Sequence, residues 1–254
     1  MYSILIPKRV DDEIFTSVTK DLIFKCLTVY EYKNMKRVGG NSDHNDGGYV
    51  ICNDFCNYDI LISAGIGGDI TFEKEVTANY SIKCLAYDGE CQHASKICSN
   101  EENITHIPKN ISNINTDTTT DLKDNIRIYK NIFLKMDIEG GEFAFLNNLT
   151  TNEFENISQI VIEFHFVDII TKWKLLEKIT NTHYLIHFHA NNNNNVMYCY
   201  DGFYVPAVFE CTYINKKLIN GKLALNKTEL PNSYDKPNIK NKIEYKFNCK
   251  PWVN

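Results

Sequence analysis

Short apolar runs rich in β-branched residues alternate along this chain with segments of helical spacing, and no other feature constrains its fold as much. Strands are expected at 59–63, 82–87, 103–107, 132–136, 159–164, 184–188 and 205–213. Helices are expected at 70–79, 118–129, 142–149 and 169–179. Parallel neighbours need long crossovers, so strands separated by helices imply an α/β fold, a mostly parallel sheet with helices on both faces. Ahead of the first strand, Ile14, Val18, Leu22, Phe24 and Leu27 have roughly helical spacing. We therefore read 1–36 as an N-terminal helical extension and 37–254 as one domain ending in a C-terminal tail.

A chain of 254 residues can bury roughly 73% of its extended-chain surface, so it needs no disulfide or metal staple. The net charge of −5 is the wrong sign for a protein that lives on phosphate backbones, which argues against nucleic acid as the main partner. No apolar run approaches the length of a membrane span, and Met1–Glu13 has neither the basic start nor the apolar run of a secretory signal. Among nine cysteines, Cys52 and Cys56 form the only close pair, with no second pair to complete a zinc site. Reduced thiols in the cytoplasm are the expectation. The run Asn191–Asn195 reads as a loop. Asp43-His44-Asn45-Asp46-Gly47 is no calcium loop, because position five is Gly47 and position twelve is Asp54.

In a parallel sheet ligands bind at the carboxyl ends of the strands, so those ends carry the functional signal. The first strand runs into Gly65-Ile66-Gly67-Gly68-Asp69, followed by Phe72 and Glu73. Its glycines permit a tight turn and close ligand approach, and Asp69 is a candidate helix N-cap. The second strand ends at Asp88, 23 residues beyond Gly65, near the spacing of a ribose-binding carboxylate. The acids Asp69, Glu73 and Glu75 at the helix start repel a pyrophosphate and suit a ligand with a cationic end. The fourth long strand ends at Asp137, before Glu139-Gly140-Gly141-Glu142. In the fifth, period-2 alternation points Glu163 and His165 the same way. If these two strands are neighbours, Asp137, Glu163 and His165 converge beside the crevice. His187 reads as structural, and His189 is left open.

Gly65-Ile66-Gly67 with Asp69 and Phe72-Glu73, followed by Lys135-Met136-Asp137-Ile138-Glu139-Gly140-Gly141-Glu142, resembles the FkbM-like S-adenosylmethionine-dependent methyltransferases. The likeness extends upstream to Arg37-Val38-Gly39 and Asp46-Gly47-Gly48-Tyr49. Downstream it takes in Glu163-Phe164-His165, His189–Asn192, Glu210–Tyr213 and Asp235–Asn238. One departure is Ser63, which stands where the first methyltransferase motif usually opens on an acid. The resemblance implies a Rossmann-type methyltransferase fold, usually of seven strands, that transfers methyl to an oxygen of a sugar, glycan or sugar nucleotide. It also implies that Gly65 and Gly67 line the methionine part of the cofactor and that Asp88 holds its ribose. Asp46–Tyr49 would close over the cofactor, and Asp137 would lie at the reaction centre. Some members use a divalent metal; Asp137, Glu163 and His165 could supply hard ligands, although no metal ligand is assigned.

A sugar hydroxyl is a poor nucleophile at neutral pH and needs a base or a metal. His165, whose ordinary pKa is nearest neutrality, is the expected base, oriented by Glu163 or Asp137. Two other classes stay open: a dinucleotide- or nucleotide-sugar-dependent enzyme using Asp137 and Glu139 for metal, and a non-catalytic binding module. The expected partner is a sugar or glycan acceptor, with neither nucleic acid nor membrane, and self-association is compatible with the sequence.

Overall fold

The structure is a computed structural model that describes residues 17–40, 45–55 and 57–254. In chain order it contains α1 (Lys20–Leu27), β1 (Met35–Gly39), β2 (Gly48–Cys52), β3 (Ile60–Ala64), α2 (Thr71–Tyr80), β4 (Cys84–Tyr87), α3 (Ala94–Cys98) and β5 (Ile104–Ile107). There follow β6 (Asn110–Ile111), β7 (Thr119–Thr120), α4 (Lys123–Ile128), β8 (Ile132–Met136), α5 (Glu142–Asn148), α6 (Thr151–Phe154), β9 (Ile157–His165) and α7 (Ile170–Thr182). The last elements are β10 (His183–Ala190), β11 (Met197–Tyr200), β12 (Phe203–Pro206) and β13 (Val208–Asn215).

Seven strands form one sheet in the order β10-β13-β9-β8-β3-β4-β5. The pairs β3–β4, β4–β5, β3–β8 and β8–β9 are parallel, and only β13 runs against its neighbours β9 and β10. From β3 the chain builds outward to β5, then returns to lay β8 on the other side of β3. That reversal leaves a crevice between the β3 and β8 ends. Alternate residues feed two cores: Ile62, Leu134, Ile160 and Ile162 face α1, α5 and α7, whereas Leu61, Phe133 and Val161 face α2 and the β1–β2 hairpin. Helix α1 shares the first core, with Lys25 2.8 Å from Glu177 on α7. The earlier part of the expected N-terminal extension, 1–16, lies outside the described residues. No helix among the described residues is long and apolar enough to cross a membrane.

The expected helix at 118–129 starts only at Lys123. Before it, the β-branched Thr119–Thr120 pairs in parallel with Asn110–Ile111, and Leu122 adopts a left-handed φ of +59° that no helix can pass through. The expected strand at 205–213 is two strands. Pro206 has no N–H to donate and ends β12, and the Ala207 N–H turns to Val196 O (2.9 Å). The hairpins β1–β2 and β11–β12 were not expected from the sequence, since each is a short run without a strong alternating signal.

The C-terminal tail packs into the first core. Phe247 and Trp252 lie against Phe188 of β10, with ring centroids 5.1 and 5.4 Å away. His189 joins the tail to the sheet: Nδ1 lies 3.2 Å from Glu210 of β13 and Nε2 3.2 Å from Glu244. Burial by itself lowers this imidazole's pKa, but the carboxylates, Glu210 foremost, outweigh it and raise the value to about 10. A folded pKa raised in this way contributes stability in full below the ordinary value of 6.5, and that stability is lost as pH climbs through about 10. The urea midpoint should therefore fall from pH 7 to pH 10, and a His189→Gln variant should lack at least about 1 kcal/mol of that fall. Equal pH slopes in the two proteins would remove His189 from this role.

Candidate active site

A cleft of about 990 Å³ opens at the carboxyl ends of β3, β4 and β8. Gly65 makes it possible. Its φ is +76°, and a Cβ there would sit 1.7 Å from Asp137 O, so only glycine lets the loops after β3 and β8 pass. Lys135 Nζ donates to Gly65 O, and the Asp137 N–H donates to Ala64 O (3.0 Å), which fixes the two loops together. Asp88, at the end of β4, accepts the Gly67 N–H at 2.9 Å on one oxygen. Its other oxygen accepts the N–H groups of Glu90 and Cys91, at 3.0 and 2.8 Å. The glycine turn is thereby pinned beside the second strand. Asp69 accepts the Thr71 N–H (2.8 Å) but sits one residue before the N-cap, which is Ile70.

Glu73, in the first turn of α2, is buried and accepts a hydrogen bond from Ser63 Oγ (2.5 Å). The α2 helix thus brings a carboxylate to the strand end where Ser63 itself offers none. Burial foremost raises the Glu73 pKa, with Lys135 opposing. Among the described residues lining the cleft are seven acids, Asp46, Asp69, Glu73, Asp88, Glu90, Asp137 and Glu139, and one base, Lys135. Such a lining repels phosphates and suits a ligand carrying positive charge and hydroxyl donors.

His165, the last residue of β9, is buried next to Asp137, with Asp137 and not His165 lining the cleft. Its Nδ1 lies 2.7 Å from Glu142 Oε1, in the first turn of α5. A carboxylate can only accept, so the Nδ1 proton points at Glu142 and Nε2 is turned the other way. Nε2 faces Glu139 Oε2 at 3.5 Å, Glu163 Oε2 at 3.7 Å and Asp137 Oδ1 at 3.9 Å, all longer than a hydrogen bond. Glu163 is held by Asn191 Nδ2 (2.6 Å), and Asp137 by the Tyr49 hydroxyl (2.8 Å). Burial, with Asp137 and Glu210 adding repulsion, raises the Glu163 pKa well above its ordinary range. For His165 burial is the largest influence and lowers the pKa, yet the hydrogen bond and charge of Glu142 and the charges of Asp137 and Glu139 leave it raised. One ligand atom from each of Asp137, Glu163 and His165 lies within 4.8 Å of the others.

Of the residues singled out from sequence, Asp46, Gly47, Gly65, Gly67, Asp69, Phe72, Glu73, Asp88 and Asp137 line the cleft. Gly48 and Tyr49 do not; they belong to the buried β2, and Tyr49 touches the site through its hydroxyl on Asp137 and its ring against Phe72 and Lys135. Glu163 and His165 do not line the cleft either; they are buried and converge with Asp137 because β8 and β9 are adjacent. His187 Nε2 is paired with Asp235 (2.8 Å). Glu142, Asn191 and Asn238 stand in segments that carry the resemblance, but the sequence assigns them no role. Glu142 had a signal in its place at a helix start after a strand-end acid, but its partner lies 23 residues away. Asn238 donates to both Asp46 (3.0 Å) and Glu210 (2.8 Å), a bridge between remote segments that no spacing announces.

The sequence profile of the methyltransferase FkbM domain matches residues 44–196. No curated protein matches the chain. Solved structures similar to it include the METTL16 MTase domain, at 11% identity and a TM-score of 0.39 over 64% of this chain. A human methyltransferase 10 domain containing protein matches at 12% identity and a TM-score of 0.38, covering 64% of this chain and 74% of its own. The precorrin-6y C5,15-methyltransferase of Geobacter metallireducens matches at 10% identity and a TM-score of 0.35, over 64% of this chain and 83% of its own. The chain spans 62% of the METTL16 domain structure. With the FkbM domain covering more than half of its length on a seven-stranded Rossmann-type sheet, this chain belongs to the FkbM methyltransferase family.

Proposed function

We propose that the chain transfers methyl from S-adenosylmethionine to a hydroxyl of a sugar, glycan or sugar nucleotide. The observation that carries this reading is the His165 imidazole beside two residues of the cleft wall, Asp137 and Glu139, with Nδ1 tied to buried Glu142 and Nε2 turned toward Asp137, Glu139 and Glu163. The cleft's residues fit the cofactor: carboxylates for the ammonium and ribose hydroxyls, and a glycine turn whose backbone, at Gly67 and Gly68, leaves open space where a Cβ would stand. Asp88 is the candidate ribose partner, and Gly65, Gly67, Asp69 and Glu73 the candidates around the methionine end. When bound there, the cofactor supplies an electrophilic methyl on a sulfonium. Asp46 and Asn238 also line the cleft.

His165 Nε2 takes the hydroxyl proton as the oxygen becomes the nucleophile. The Glu142 carboxylate holds the ring in place and stabilises the imidazolium that forms. Asp137 and Glu139 favour the same charge. Glu142 is thus a positioning residue acting through His165. A cytoplasmic setting with reduced thiols belongs to the same proposal.

His165→Gln should lower kcat by about 10²–10⁴-fold, while S-adenosylhomocysteine binding by calorimetry stays within a fewfold of wild type. Collapse of cofactor binding in this variant would sink the base assignment. Cofactor binding by the wild type without transfer to any of a panel of glycans would instead favour a binding module.

A second reading is favoured by the convergence of Asp137, Glu163 and His165, whose donor atoms suit a divalent cation that would acidify the acceptor hydroxyl. Mn²⁺ titration followed by electron paramagnetic resonance separates the two. One site in the wild type, lost in Glu163→Gln, supports the metal; full transfer after chelation, with no Mn²⁺ site, excludes it.

A further inference from the structure

Five described non-glycine residues have a left-handed backbone: Ser81, Leu122, Glu139, Phe166 and Asp201. Three have local reasons. Ser81 caps α2, Leu122 is buried at the start of α4, and Asp201 shares the β11–β12 turn with Gly202. The other two flank His165, Glu139 in a turn with Gly140 that the Gly141 N–H closes on Ile138 O (3.1 Å). Glu139 follows the end of β8 with φ +55°, a side chain 86% exposed, and Oε2 3.5 Å from Nε2. Phe166 directly follows His165 with φ +58°. It is 43% exposed, and its ring centroid is 6.5 Å from the imidazole.

The Phe166 conformation is locked from both sides. Its N–H donates to Ala207 O (2.6 Å), and its carbonyl accepts from Lys172 Nζ (2.6 Å). A backbone that favours glycine, occupied by a large aromatic residue left half in solvent, is unfavourable for the fold on two counts. Strain of this kind gathers where a ligand is held. Here it sets an aromatic face and a carboxylate on the two strand ends that bracket the base.

We propose that Phe166 and Glu139 clamp the acceptor over His165, and that the acceptor is a neutral pyranose ring. This deepens the methyltransferase reading and rests on it. An aromatic face meets the C–H face of a sugar ring, while a carboxylate accepts from its hydroxyls. The surrounding acids, Asp137, Glu139 and Glu163, disfavour an acceptor bearing phosphate or carboxylate near the reacting hydroxyl.

Saturation-transfer NMR titrations with methyl α-rhamnoside, methyl β-glucoside and methyl α-mannoside, in the presence of S-adenosylhomocysteine, test the clamp without relying on turnover. The wild type should bind at least one of these. Phe166→Leu, which keeps apolar bulk but loses the π face, should weaken that binding about tenfold or more, and Phe166→Trp should restore it. Glu139→Gly should also weaken binding while leaving the Tm unchanged or raised, because glycine relieves the left-handed backbone and the lost side chain was exposed. A merely structural residue would lower the Tm instead. S-adenosylhomocysteine affinity should hold in both Phe166 variants. Sugar binding within twofold of wild type in Phe166→Leu or Glu139→Gly, or no pyranoside bound by the wild type, would overturn the clamp and leave the methyltransferase reading standing. Failure of the wild type to bind S-adenosylhomocysteine would overturn that reading separately.

Discussion

The parallel pairing of β3 with β8 at the centre of the sheet is the interaction on which the rest depends. Its register sets Ala64 beside Met136, so the chain leaves both strands at the same level and the two following loops must cross. Gly65 is the only residue type that permits that crossing. Because β4 and β9 flank this pair, Asp88, Asp137 and His165 all emerge on one edge of the sheet. The site is therefore a consequence of strand order, and the hydrophobic alternation that buries both faces holds that order in place.

The same edge collects more carboxylates than an interior tolerates unless each finds a donor. Glu73 takes Ser63, Asp137 takes Tyr49, Glu163 takes Asn191, and Glu142 takes the imidazole. Neutral donors predominate in that set. They satisfy hydrogen-bonding capacity without cancelling charge, so the cleft keeps a negative field that complements a sulfonium and an ammonium. A lysine at each position would cancel that field and repel such a ligand.

Part of the wall comes from outside the matched family domain. The tail beyond β13 carries Asn238, whose amide joins Asp46 on one side to Glu210 on the other, and Asn45 Nδ2 donates to Pro237 O (2.9 Å). The turn before β2, the antiparallel strand β13 and the tail are thus tied into one rim. His187 and His189 anchor that tail through Asp235 and Glu244, and Phe247 and Trp252 bury it against β10. The tail is part of the core as well as part of the cleft.

By itself the sequence determined the layered α/β architecture, because periodicity and strand length are local properties. It also determined that acids and glycines sit at strand ends, and that Glu163 and His165 share a side. It did not determine the 119–120 strand, the break at Pro206 or the two small hairpins, where a single backbone conformation or a missing N–H decides over propensity. Only the tertiary structure decided which acids meet. The partnership of Glu142 with His165, the bridge made by Asn238 and the bracketing of the imidazole by Glu139 and Phe166 join segments whose separation along the chain carries no periodic signal. Long-range pairing is chosen by strand order and packing, which act on the whole chain at once, and a local pattern contains no record of them.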